Sequence, residues 1–338
     1  LLTYINFCSV KLYVYMQNIF TVSKIIVCVI IIVVGAYCLI SNSSTGSSET
    51  LISTGFEGTN TEVRSIVLAF YSCLWSYDGC IENVTNEVTK LESAWELRSM
   101  RNILLSIVIG VPLVTVIYCF TNVAYMSVLT RSEMNTNATA VAVIFGDKML
   151  GVMSFIMPLG VALSTFGCAL SIQFSVTRLC FVAGREGHMM EAFSYIHMRR
   201  LTPAPSVILQ GLIALVFILA GDIVELIDFA SFLIWTFYGT AMVALLVLRK
   251  VKKDTHRPFK VQIWTPIFMI FVSLFLILVP IIIHPTSKYF IALALIGVGF
   301  LVYVPFVYFK RQPETLIKKF THVTQKLLEV VPPENQPD

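Results

Sequence analysis

Charge is what this sequence has least of. Acidic and basic side chains make up 13% of its 338 residues, where a soluble domain carries about 25%. A chain of 37.8 kDa cannot cover itself against water with so few charges unless much of its surface faces lipid. With 57% hydrophobic residues and a mean hydropathy of +0.80, the composition excludes a soluble enzyme, a nucleic-acid binder and a disordered scaffold. Metal-ligand spacing is missing too. No pair among the eight cysteines is spaced for zinc, and Cys28, Cys38, Cys119, Cys168 and Cys180 sit in or beside apolar runs, where a thiol behaves as a small hydrophobe. No Ser/His/Asp set or paired carboxylate recurs at membrane depth, which argues against a membrane enzyme, and no cofactor is expected. There is no initiator Met and no signal peptide, since the chain opens apolar at Leu1 without a basic leader. It reads as starting in mid-protein.

What is present is a series of long apolar runs. A bilayer core about 30 Å thick needs roughly 20 helical residues. Stretches nearly free of charge fall at 25–40 (extended back to 16), 65–77, 103–129, 149–177, 201–221, 229–248, 261–287 and 289–309. The expectation is an all-α polytopic membrane protein with eight complete transmembrane helices. Residues 1–15 read as the remnant of a further helix and a loop near Lys11, residues 16–309 as the membrane domain, and residues 310–338 as an amphipathic helix and tail. Eight crossings return the chain to its starting side. With Lys24 and Arg178 set aside as lying within spans, 18 basic residues then fall on one side, including Lys11, Arg199, Arg200, Arg249 and Lys318, against four on the other, Arg64, Arg131, Lys148 and Lys288. The richer side is read as cytosolic. The opposite side carries sequons at Asn42 and Asn137.

Some residues do not belong in lipid. The second run, 65–77, would span only about 20 Å at 1.5 Å per residue, and Asp78-Gly79 follows it directly. Either Asp78 begins a cytosolic loop, or the span continues to Val84 and Asp78-Gly79 breaks it. A carboxylate inside a span costs about 3 kcal/mol by insertion scales, and discontinuous helices of this kind build the midplane sites of many secondary transporters. Lys24 lies inside the first complete run, either snorkelling to the interface or serving the interior. Arg178, near the end of the fourth, reads as snorkelling. Pro112 and Pro158 read as kinks in long helices. Gly184 to Met189 and Arg199 to Pro205 suggest a tight turn with a short helix. In the tail, Ile317, Phe320, Val323 and Leu327 recur at helical spacing with Lys318, Lys319 and Lys326 elsewhere on the wheel, as in a helix lying on a membrane.

Several of these pieces carry a resemblance: Gln17-Asn18-Ile19-Phe20-Thr21 before Lys24, Leu74-Trp75-Ser76-Tyr77-Asp78-Gly79, Ala183 to Met189, Arg199 to Pro205, and Glu329 to Glu334. Over nearly its whole length the sequence resembles the light subunits of heteromeric amino acid transporters, in the amino acid, polyamine and organocation superfamily. Its pieces are most similar to the broad-scope, b(0,+)-type branch. The resemblance implies a LeuT-type inverted-repeat fold lacking its first three to four helices, with the first complete span as helix 5 of twelve. It implies sodium-independent exchange of neutral and dibasic amino acids and cystine at the plasma membrane, with a single-span glycoprotein heavy subunit whose linking cysteine is not in this chain. Substrate is then expected at Tyr71, Ser72, Trp75, Asp78 and Gly79, with the Lys24 ammonium standing where sodium-coupled relatives hold a cation. An amino acid sensor, or a truncated chain that does not transport, is the other reading. Two departures stand out: Cys80 replaces the branch's Trp after Asp-Gly, and Glu87 to Asn102 is longer and more irregular than the family's short loop.

Overall fold

The computed structural model describes residues 1–41, 61–77, 96–134, 140–220, 223–253, 260–283, 285–309 and 314–332. Both sequons, at Asn42 and Asn137, fall outside these residues, as do Asp78, Gly79 and Cys80. The helices are α1 (Leu2–Cys8), α2 (Val10–Ile40), α3 (Val63–Trp75), α4 (Glu96–Val128), α5 (Arg131–Met134), α6 (Val141–Met149) and α7 (Ile156–Arg185). After them come α8 (Ala204–Ala220), α9 (Ile223–Val251), α10 (Trp264–Ile283), α11 (Ser287–Tyr303) and α12 (Glu314–Leu328).

Six helices are long and apolar enough to cross a membrane, and two shorter apolar ones, Ser65–Leu74 and Ala204–Leu219, fall in the remaining expected runs. In the most apolar windows of α4 and α11 only 6% of residues are buried inside the protein, so lipid must cover the rest. This is a multi-pass membrane protein. Several hydroxyls within these helices are satisfied by their own backbone, which makes them tolerable in lipid. Thr115 donates to the Val111 carbonyl at 2.8 Å, Thr236 to Phe232 at 2.8 Å, and Ser273 to Met269 at 2.8 Å.

Three sequence expectations shift. Lys11 lies in the first turn of α2 rather than in a loop: the chain bends at Ser9, whose extended backbone separates α1 from α2 and whose hydroxyl caps the Lys11 N–H at 3.2 Å. Pro158 is not a mid-helix kink, because a 3-10 turn at Gly151–Phe155 precedes α7 and leaves Pro158 in the first turn, where a missing N–H costs nothing. Residues 130–148, the interval between two expected spans, hold α5 and α6. There Glu133 accepts from the Thr130 N–H at 2.9 Å and pairs with Lys148 at 2.7 Å, and Lys148 pulls its carboxyl down to about 2.

The connection after α7 turns at Gly187, which holds φ +72, a conformation that favours glycine. A 3-10 turn at Glu191–Ser194 follows, then β1 (Ile196–His197), which pairs antiparallel with β2 (Val330–Val331) at the end of the tail. Tyr195, Ala204 and Val330 form a small core beneath this clasp.

The α2 helix is the hub. It runs antiparallel to α7 with one matching contact every seven residues: Tyr13 stacks on Phe174 with ring centroids 3.8 Å apart, Phe20 meets Gly167, and Val27 meets Gly160. On the other side Gly35 meets Ala124 of α4, and Ile31, Ala124, Phe145 and Met157 close a core among α2, α4, α6 and α7. A Cβ at Gly35 would overlap the Cβ and Cα of Ala124, whereas one at Gly110 meets nothing within 4 Å. Gly35→Leu should therefore destabilise the fold by about 1–3 kcal/mol, the range for overpacking. Gly110→Leu should stay within about 0.5 kcal/mol of the parent. Thermal unfolding of both variants in detergent, followed by size-exclusion chromatography, checks the difference.

Candidate functional site

The helix that carries the sequence's most unusual residues is α3. Val67 and Tyr71, one turn apart, are buried against Trp235 of α9 and Leu276 of α10. The Tyr71 hydroxyl donates to the Leu276 carbonyl. Among the expected substrate residues, then, Tyr71 already has its hydroxyl engaged in interhelical packing, while Ser72 is exposed. Trp75 is the last residue of α3. Beyond it the chain turns: the Ser76 N–H donates to Cys73 at 3.2 Å and the Tyr77 N–H to Leu74 at 3.0 Å. So the helix stops immediately before Asp78-Gly79, which themselves lie outside the described residues.

That stop is fastened from outside by a residue the sequence reading passed over. Tyr118 of α4 donates its hydroxyl to the Ser76 carbonyl at 3.1 Å, and its ring meets Tyr77 edge-on at 5.5 Å. The bond satisfies a carbonyl freed by the end of a helix, which water cannot reach in lipid. The same phenol lies within electrostatic reach of Cys28 on α2 and Cys168 on α7. Tyr118 thus stands where α2, α4, α7 and the end of α3 converge. The available signal was a tyrosine in the middle of an apolar run, followed by Thr121 and Asn122. Thr121 has a buried hydroxyl without a hydrogen-bond partner among the described residues.

Lys24 is one helical turn before Cys28. It lies near the midpoint of the 31-residue α2, between Phe20 and Val27 on the stripe that faces α7. In the antiparallel register this is the level of Leu163 and Ser164. Starting α2 at Val10 moves Lys24 inward from the end where snorkelling was considered. Its side chain is half-buried and makes no hydrogen bond or ion pair among the described residues. Such a position is expensive in a membrane, which marks it as functional by default. The described contacts join Lys24 neither to Tyr118 nor to Tyr71.

Arg178 lies flat over the Phe174 ring at 4.3 Å, a cation–π contact, and lines a cavity of about 230 Å³ with Asn6, Thr177 and Thr202. Behind it Asn6 donates to Gln173 at 3.2 Å and Gln173 donates to Thr3 at 2.9 Å, a polar seam that fixes α1 to α7. Among the described residues no group of three His, Cys, Asp or Glu side chains could hold a metal ion.

The rat b(0,+)-type amino acid transporter 1 is 44% identical to all of this chain, which spans 67% of its length. The human cystine/glutamate transporter is 33% identical over 98% of the chain and 64% of its own length. The mouse large neutral amino acids transporter small subunit 2 is 34% identical over 99% of the chain and 62% of its own length. All three are named as transporters rather than enzymes. Residues 1–314 match the model of the amino acid permeases, and the chain belongs to the amino acid permease family.

Proposed function

We propose that this chain forms the transport core of a sodium-independent exchanger of neutral and dibasic amino acids, cystine included. It works by alternating access, as the light subunit of a heterodimer with a single-span glycoprotein at the plasma membrane. The observation that carries the reading is the end of α3 at Trp75, shortly before Asp78-Gly79 in the sequence, with the Ser76 carbonyl after it bonded by Tyr118. Unwound backbone at membrane depth is tolerated where it faces protein or a watery cavity, and such breaks expose carbonyls and N–H groups to a substrate's amine and carboxylate. The relatives named for b(0,+)-type, cystine/glutamate and large neutral amino acid transport support the substrate class. The word "small subunit" in one of those names supports a heavy partner. In this reading the two shorter apolar helices complete eight crossings of a LeuT-type fold. The basic-rich side, with the tail and the connection after α7, is cytosolic.

Asp78 sets the substrate range. A carboxylate beside the helix break pairs with the guanidinium of arginine or the ammonium of lysine, and a neutral substrate makes no such contact. One charge-assisted hydrogen bond in a partly desolvated site is worth about 1.5–3 kcal/mol. Asp78→Asn in the full-length protein should therefore weaken arginine uptake at least about tenfold and leave leucine exchange within a few fold. Paired arginine and leucine competition curves on the same membranes measure it. Parallel loss of both would instead give Asp78 a purely structural role.

With Lys24 in the place of a cation, uptake should be unchanged when sodium is replaced by choline. Collapse of uptake in choline would remove that role from Lys24. For the fastening of α3, Tyr118→Phe keeps the ring and removes the bond to Ser76, a loss of about 1 kcal/mol. Hydrogen–deuterium exchange across residues 72–77 should accelerate about fivefold, and unchanged exchange would assign the helix stop to other contacts.

A further inference from the structure

The tail helix α12 presents different residues in different directions. Thr324 is buried against the protein, and Leu328 packs on the small core beneath the β1–β2 clasp. Val323 and Leu327, one turn apart, stay 60% and 77% exposed. At about 100° per residue, their stripe stands roughly a right angle away from the face that Thr324 and Leu328 share. Lys319 and Lys326 come next around the helix, about 75° beyond the stripe and away from the protein. Phe320 forms the corner between stripe and protein: its ring meets Phe193 at 5.8 Å and is still partly exposed.

The height of α12 decides what the stripe meets. The last span, Ser287–Tyr308, has only 6% of its most apolar window buried inside the protein, so lipid covers it. It closes on Tyr308 and Phe309, both exposed, the kind of aromatic pair that sits at headgroup level. Glu314, the first residue of α12, comes five positions after Phe309, a reach of at most about 18 Å. The helix is held closer than that reach requires. Ile317 and Phe320 border the same hollow as Tyr303 and Phe306, within the last two turns of the span. α12 therefore lies level with the end of a lipid-covered helix, where an exposed apolar stripe flanked by lysines has the form of an interfacial helix. Charge at this level has one sign: Lys310-Arg311 follows Phe309 directly, and residues 315–328 hold three lysines and no carboxylate.

We propose that α12 seats Val323 and Leu327 in the leaflet where the last span ends, with Lys319 and Lys326 against anionic phospholipid headgroups, while its Thr324 face holds the protein. Bilayer and protein then grip one helix from two adjacent sides, and the β1–β2 clasp that follows it is tied to the membrane surface. The inference rests on the multi-pass fold and is independent of the exchange reading.

The test places a genetically encoded benzophenone at position 323, 327 or 322 of the intact chain. His322 is also exposed but lies on the side of α12 away from the stripe, so it serves as the control. Each variant is reconstituted in nanodiscs of phosphatidylcholine and phosphatidylserine, irradiated, and analysed by mass spectrometry for what the benzophenone has captured. Because all three positions are exposed, elution and thermal unfolding should remain those of the parent. Positions 323 and 327 should capture phospholipid, and position 322 should not. Phosphatidylserine should be captured beyond its share of the bilayer, and Lys319→Gln with Lys326→Gln should lower that preference by at least about threefold. Capture of protein at 323 and 327, no capture there, phospholipid capture as frequent at 322, or a phosphatidylserine preference indifferent to the two lysines would each overturn the proposal.

Discussion

The close approach of α2 to its two neighbours is the constraint on which the rest of the structure depends. In lipid, helices gain little by hiding apolar surface from one another, so association rests on how near their backbones can come. Gly160 and Gly167 admit Val27 and Phe20, and Gly35 admits Ala124. These contacts fix both the rotation and the height of α2. Rotation decides that Lys24 faces α7 rather than lipid, and height decides that it sits near mid-helix. The same contacts bring Cys28 within reach of Tyr118, which holds the end of α3. A half-buried cation and an interhelical tyrosine thus share one geometric cause.

The helices themselves were largely legible as charge-free runs, because lipid enforces both their length and their composition. All eight apolar runs contain a helix, and six of these helices are long enough to cross a membrane. The errors have physical reasons. Residues 130–148 carry Glu133, Asp147 and Lys148 and so fall between two expected spans, yet Glu133 caps one short helix and reaches the last turn of the next. Polarity there reflected local pairing rather than solvent. Lys11 read as a loop residue because it is charged, whereas a capping serine two positions earlier starts the helix. Pro158 read as a kink because the 3-10 turn before it leaves no compositional trace.

The sequence nominates candidate residues by their chemistry but says nothing of what holds them in place. Lys24 and Asp78 are conspicuous as charges in apolar sequence, and the Asp78-Gly79 pair coincides with the place where α3 stops. Tyr118 was not conspicuous, since a tyrosine in an apolar run most often packs, and its role comes from a partner 42 residues away. The reverse holds for Tyr71. Its place near Asp78-Gly79 suggested substrate, but the register of α3 against α9 and α10 turns it into their shared core, where the Leu276 carbonyl accepts its hydrogen bond.

The two-residue pairing of Ile196–His197 with Val330–Val331 has a consequence for how the molecule is made. It joins segments more than a hundred residues apart, so its loop-closure cost is met only once everything between them is in place. During synthesis the floor beneath it, Tyr195 and Ala204, stays uncovered while α8 to α11 are being threaded into the bilayer. The last residues to be made then close over a surface laid down long before. A chain that stops short of Val330 lacks the strand that pairs with Ile196–His197 and the side chain that packs on Tyr195 and Ala204.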